Sequence, residues 1–181
     1  MLLACALALT ACSSLEGTGG KEYVSGTGQI TEYGPAERGD PVVLEAEDLE
    51  GEPVSLADMR GDVVVVNVWW SNCGPCRKEA PMLNQVEEQT ADQGVRFLGV
   101  NIRDNSAANG LAFQRRFGIE FPSVYDPTGR AVLAFDGLSP NAIPTTLVLD
   151  REGRIAARVL GDLPSAGTLR TLVETVVEEE A

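Results

Sequence analysis

The chain contains no histidine. That absence removes Ser–His and Cys–His hydrolytic catalysis and every metal site that needs an imidazole. Cysteine is scarce too: there are four, grouped as Cys5/Cys12 near the N-terminus and Cys73/Cys76 in the body of the chain. Two body cysteines do not complete a four-cysteine zinc site, so no metal site is expected. Basic residues are outnumbered, 14 Lys and Arg against 27 Asp and Glu. The resulting formal net charge of −13 disfavours nucleic acid and bare anionic membrane as direct partners and fits a solvated acidic surface. There is no internal repeat.

The N-terminal stretch Met1–Ala11 is almost wholly apolar but too short to span a bilayer. Its length is that of a signal-peptide apolar core, although the usual positive n-region is missing. Leu9-Thr10-Ala11-Cys12 resembles the lipobox of bacterial lipoproteins. The resemblance implies cleavage before Cys12 and lipid attachment to its sulfur, with several acyl chains giving a stable anchor. A short buried apolar helix is the alternative. Cys5 falls inside the cleaved segment and receives no role. Residues 12–40 are rich in Gly, Ser, Thr and Glu and read as a lipidated Cys followed by a flexible tether. Such a tether reaches about 30 Å.

Residues 41–181 read as one domain, long enough to bury a core. Leu49–Val54 reads as a tight turn between two short extra N-terminal strands, and Ser55–Met59 as one helical turn. Val63–Trp69 is a nearly continuous β-branched run, the pattern of a strand buried on both faces. A helix is expected from Gly74 to about Ala91, kinked at Pro81. Val95–Ile102 reads as a second buried strand, and Ala107–Phe117 as an amphipathic helix closed by Gly118. Thr145–Leu149 and Ile155–Leu160 read as strands joined by an Asp150–Gly153 turn, and Ser165–Glu179 as the last helix. That order predicts an α/β fold with a mixed central sheet and helices on both faces.

The strongest local signal is Cys73-Gly74-Pro75-Cys76, at the junction of the β-branched run and the helix. A helix N-terminus presents unpaired N–H groups and the positive end of a dipole, which stabilise a thiolate. A stabilised thiolate attacks disulfides. Cys73, nearer the helix start, is the candidate nucleophile and Cys76 the resolving thiol, with Gly74 and Pro75 setting the loop between them. The redox-active disulfide is then the only redox group required, with no bound cofactor. An inert structural disulfide is the bland alternative.

Element order and CxxC placement resemble the thioredoxin fold. More closely, the chain resembles the membrane-anchored extracytoplasmic group typified by TlpA and ResA. The match rests on Asp48–Gly51 with Val54–Leu56, on Val65–Trp69, on Cys73–Pro81, on Ile143–Thr146 and on Asp150–Ile155. The resemblance implies thiol–disulfide exchange on protein disulfides outside the cytoplasm, fed by a membrane thiol electron donor. Apocytochrome c reduction is a common role in such proteins. It also implies a cis peptide bond before Pro144, facing the dithiol, with the backbone of Ile143 pairing with substrate and Thr145 completing the substrate-binding turn. A Pro that merely opens a strand is the residue-level alternative.

The buried acid of cytoplasmic thioredoxin is replaced by Asn67, and the group instead often carries an acid at the position of Glu79. Glu79 is therefore a candidate proton-transfer residue. An exposed first-turn acid favoured by the dipole is an equal alternative. Asn72 stands where the family usually has Trp, so the contact surface beside the sulfur differs from the family's. Trp69 matches a common family Trp and is carried as a substrate-side candidate, a core role being the stronger reading. Gly-Pro is also thioredoxin's own dipeptide, whose potential of about −270 mV favours reductase over oxidase.

Two rival readings share parts of this pattern. A thiol peroxidase of the peroxiredoxin type shares the fold and the Asp-Leu-x-Gly pattern. Its site motif, however, needs Pro and Thr where this chain has Val66 and Trp70. A copper-delivery lipoprotein of this fold uses CxxxC and His, against CxxC and no His here.

Overall fold

The computed structural model describes residues 23–25 and 28–179. The signal segment, Cys5, Cys12 and most of the expected tether lie outside these residues. Among the described residues no helix is long and apolar enough to cross a membrane. In chain order the elements are β1 (Tyr23–Ser25), β2 (Gly28–Glu32), β3 (Glu45–Glu47), β4 (Pro53–Ser55), β5 (Val63–Trp69), α1 (Gly74–Thr90), β6 (Val95–Ile102), α2 (Ala107–Phe117), β7 (Ser123–Asp126), β8 (Thr145–Leu149), β9 (Ile155–Gly161) and α3 (Ala166–Glu178). Short 3₁₀ turns at Leu56–Met59 and Ala131–Ala134 also contribute to the core.

The β-branched run forms β5, and all of its residues are buried. It is central in a seven-stranded sheet of order β1-β2-β9-β8-β5-β6-β7, while β3 and β4 pair separately. β5 runs parallel to β6 and β6 to β7, and β5 runs antiparallel to β8. Parallel neighbours need crossovers, which α1 and α2 provide. Alternation along the strands divides the core. Val64, Val66, Val68, Leu98, Val100, Ile102, Leu147 and Leu149 face the layer formed by Leu44, Leu56, Met59, Val132 and Phe135. Val63, Val65, Phe97 and Val148 face Leu83 and Val86 of α1 and Leu169, Leu172, Val173 and Val176 of α3. Each such side chain contributes about 1.5–3 kcal/mol on full burial. Mixed sheet, helices and N-terminal strands agree with the α/β thioredoxin-type expectation.

The helix ends follow the sequence signals. Ser165 Oγ accepts from Thr168 N–H at 3.0 Å at the start of α3. Gly118 closes α2 in the left-handed region at φ 66°. Pro81 lies inside α1, which runs unbroken from Gly74 to Thr90.

Two expectations need correction. The composition suggests a tether through residue 40, but Gly28–Glu32 pairs antiparallel with β9 over its whole length. Ile30 is buried there, and Arg38 reaches the buried carboxylate of Asp150 at 3.1 Å. Asp150 is fully buried, and also receives Arg154 Nε at 2.8 Å and the N–H groups of Glu152 and Arg154. The domain therefore includes residues before 41. Backbone pairing and the ion pairs of Arg38 with Asp150 and Glu179 hold this arm, with Ile30 its buried apolar residue, so no apolar periodicity announces it. Strand β7 was not expected either. It is an edge strand of four residues, with only Ser123 and Val124 buried.

Candidate active site

The end of β5 and the start of α1 place the cysteines. Cys73 N–H donates to the Trp70 carbonyl at 3.0 Å, closing the turn that leaves the strand. Cys73 caps α1 in an extended conformation, and its Sγ accepts from Cys76 N–H at 3.2 Å. Pro75 occupies the first turn, where its missing N–H costs nothing. Cys73 and Cys76 are joined in a disulfide with Cα atoms 5.3 Å apart. Cys73 is 9% exposed and Cys76 3%. Cys73 is thus the more exposed of the two sulfurs, and it is the one that accepts the helix N–H, a contact of the kind that stabilises a thiolate.

Gly74 is exposed, and nothing lies within 4 Å of where its Cβ would be. Asn72 is exposed as well, its Oδ1 accepting from Arg77 Nη2 at 3.3 Å. Arg77 also donates from Nε and Nη2 to the Ser71 carbonyl, at 3.1 and 3.0 Å. Arg77 thus braces the chain just before Cys73, beside the Asn72 that stands where the family usually has Trp.

The Ile143–Pro144 bond is cis. Ile143 packs against the cluster formed by Cys73, Cys76, Trp69, Ala80 and Phe113, so this loop borders the dithiol. Ile143 N–H donates to the Asn141 carbonyl at 3.0 Å. Thr145 is fully buried, and its hydroxyl donates to the Ala142 carbonyl at 2.9 Å. Its side chain braces the turn from within.

Trp69 is placed as the stronger of its two readings has it, in the core and away from the surface. It is 2% exposed, stacks on Phe113 with centroids 4.6 Å apart, and donates Nε1–H to Ser123 Oγ at 3.3 Å. The approach is tight: a Cβ on Gly99 would lie 2.0 Å from Ser123 Oγ and 2.7 Å from Trp69 Nε1. Trp69 is core. The neighbouring Trp70 is half-buried and packs on the same cluster, so it is the aromatic that keeps a face toward solvent.

Glu79, one turn beyond Cys76, is 2% exposed, which excludes the solvated first-turn reading. Burial away from water is the main cause that pushes its carboxyl up to about 7, with the Asp162 charge adding to it. The Leu163 N–H, donating to Oε1 at 2.5 Å, and the Asn67 side chain oppose that rise. Its Oε2 has no hydrogen-bond partner among the described residues. A buried carboxyl near neutrality, on the turn after Cys76, is suited to proton exchange.

Sequence reasoning missed Ser71, Asn101, Arg103, Asp104 and Leu163. Asp104 accepts from Ser71 Oγ at 2.5 Å and from Asn101 Nδ2 at 2.7 Å, although these residues are far apart in the chain or unremarkable in type. No sequence pattern marks them. Among the described residues, no three His, Cys, Asp or Glu side chains converge as metal ligands would.

Comparison with known proteins agrees with this geometry. The AhpC/TSA family signature matches residues 39–158. Thiol-disulfide oxidoreductase ResA of Bacillus subtilis (strain 168) is 31% identical over 163 residues, 90% of this chain and 82% of that protein. The protein of the same name from Geobacillus thermodenitrificans (strain NG80-2) is 35% identical over 116 residues, and the match spans 64% of its length. Among solved structures, a secreted thiol-disulfide isomerase from Corynebacterium glutamicum superposes with a TM-score of 0.78 at 30% identity, covering 82% of this chain and 92% of that one. A DsbF homologue from Corynebacterium diphtheriae gives 0.76 at 33% identity, covering 87% and 95%. The chain belongs to the AhpC/TSA family, as a TlpA/ResA-like member with the thioredoxin fold.

Proposed function

We propose that this protein is an extracytoplasmic thiol–disulfide oxidoreductase that reduces protein disulfides. The observation that carries the reading is the Cys73–Cys76 pair capping α1, its more exposed sulfur beside the cis Ile143–Pro144 loop. In the reduced protein, the Cys73 thiolate attacks one sulfur of a substrate disulfide. A mixed disulfide forms, and the other substrate sulfur leaves as a thiolate. Cys76 loses its proton, with Glu79 as the acceptor, and attacks Cys73 Sγ. The mixed disulfide breaks, the second substrate sulfur leaves, and two electrons have passed from the dithiol to the substrate.

The Gly-Pro dipeptide favours the reducing direction, as in thioredoxin at about −270 mV. Continuous turnover then draws electrons from a membrane thiol donor. The Leu9-Thr10-Ala11-Cys12 sequence supports a lipid anchor on Cys12 that holds the domain at the outer face of the cell membrane. Insulin reduction tests the activity. The unaltered protein precipitates insulin chains in the presence of dithiothreitol, and Cys73→Ser and Cys76→Ser each abolish the acceleration. Full activity in either variant defeats the mechanism.

A further inference from the structure

Arg103 and Asp104 are adjacent residues in the turn after β6, yet they reach two different loops of the site. Arg103 is one of two non-glycine residues with positive φ among those described, at 64°. L side chains rarely adopt that region, and such residues persist where the surroundings fix them. From this turn, Arg103 Nη2 donates to the Pro140 carbonyl at 3.2 Å and to Asn141 Oδ1. Those two residues lead into the cis Ile143–Pro144 bond.

Asp104 turns the other way and is 3% exposed. Its carboxylate accepts from the Ser71 hydroxyl at 2.5 Å and from Ser71 N–H at 3.3 Å. Ser71 lies two residues before Cys73, and Arg77 holds its carbonyl from the opposite side. Asn101 Nδ2 donates to the same carboxylate at 2.7 Å, and the Tyr125 hydroxyl donates to the Asp104 carbonyl at 3.2 Å. Asn101 is fully buried, and the amide orientation that serves Asp104 leaves its own Oδ1 without a partner among the described residues. An orphaned buried acceptor is costly, so that orientation is kept for the carboxylate.

We propose that Arg103 and Asp104 form one tie that fixes the separation of the dithiol loop and the cis-proline loop. Both are positioning residues. The inference rests on the function proposed above, together with pairing of the substrate backbone at Ile143 while Cys73 attacks the substrate disulfide. A peptide disulfide engages both loops at once, so its reaction geometry depends on their spacing. A small disulfide engages only the sulfur. Sub-ångström displacement of one loop therefore slows the peptide more than the small molecule.

The test compares kcat/KM for a peptide closed by one disulfide with kcat/KM for hydroxyethyl disulfide. Arg103→Gly keeps a turn that glycine adopts without strain and removes only the reach of the side chain. It is expected to lower the peptide-to-small-molecule ratio about ten-fold, with the dithiol potential unshifted, and Arg103→Lys recovers part of the loss. Asp104→Asn lowers the ratio as well. Because either change severs the same tie, Arg103→Gly with Asp104→Asn falls no lower than the worse single variant.

An unchanged ratio in Arg103→Gly, or single losses that multiply in the double variant, overturns the proposal. If Asp104→Asn does not fold, Arg103→Gly, at an exposed residue, decides alone. An unaltered protein that reduces neither disulfide removes the oxidoreductase reading itself, and the tie with it. That result is distinct from a protein that reduces both with a ratio indifferent to Arg103.

Discussion

Replacing Glu79 by glutamine separates the cost of a buried charge from the packing of the site. Glutamine keeps an Oε1 acceptor for the Leu163 N–H and nearly the same volume, but it does not ionise. In the folded protein, burial pushes the Glu79 carboxyl from 4.5 up to about 7. Between those values the folded protein holds a proton at Glu79 that the unfolded chain has released. Raising the pH therefore draws the equilibrium toward unfolding, and the cost is complete above about pH 7. At about 1.36 kcal/mol per pH unit, this amounts to ~3 kcal/mol. Urea unfolding of the oxidised protein and of Glu79→Gln, from pH 4.5 to pH 8, measures it. The two proteins are expected to differ least at the acid end. At pH 8 the variant gains about 3 kcal/mol relative to the unaltered protein. A difference that stays flat across this range refutes the assignment of a buried carboxyl near neutrality.

Further perturbations test other parts of the structure. Asp150→Ala leaves the 1%-exposed Arg38 side chain without its buried carboxylate and should cost about 3–5 kcal/mol in urea unfolding. Trp69→Ala removes the stack on Phe113 and should cost about 3–5 kcal/mol by the same measurement, as expected of a core residue. Gly99→Ala puts a methyl group into the contact between Ser123 and Trp69 and should cost about 1–3 kcal/mol, read as a lowered melting temperature.

Features governed by local chemistry were legible in the sequence. The four consecutive valines of Val63–Val66 have few other places to go than a strand covered on both faces. Ala107–Phe117 with Gly118 carries its own period and its own stop, and its observed bounds coincide with those expected. The cysteine pair announces itself by spacing and position. What escaped depends on partners distant in the chain. Strand β2 exists because β9 offers an edge, and only Ile30 of that strand contributes to the core. Glu79 reads equally as a proton-transfer acid or an exposed first-turn acid until the Asp162–Leu163 turn is seen against it. Trp69 reads as either core or contact surface until Phe113 is seen stacked on it. Ser71, Asn101 and Asp104 are common polar residues whose meaning lies in convergence, and one-dimensional spacing does not encode convergence.

The central claim is that the dithiol works through Cys73 as nucleophile and Cys76 as resolver. Mixed-disulfide trapping tests it most directly. Reduced Cys76→Ser, mixed with a disulfide peptide and mapped by mass spectrometry after acid quenching, is predicted to accumulate one peptide per chain, attached at Cys73. Reduced Cys73→Ser is predicted to trap little. Equal trapping in both variants, attachment favoured at Cys76, or no adduct in either contradicts the account.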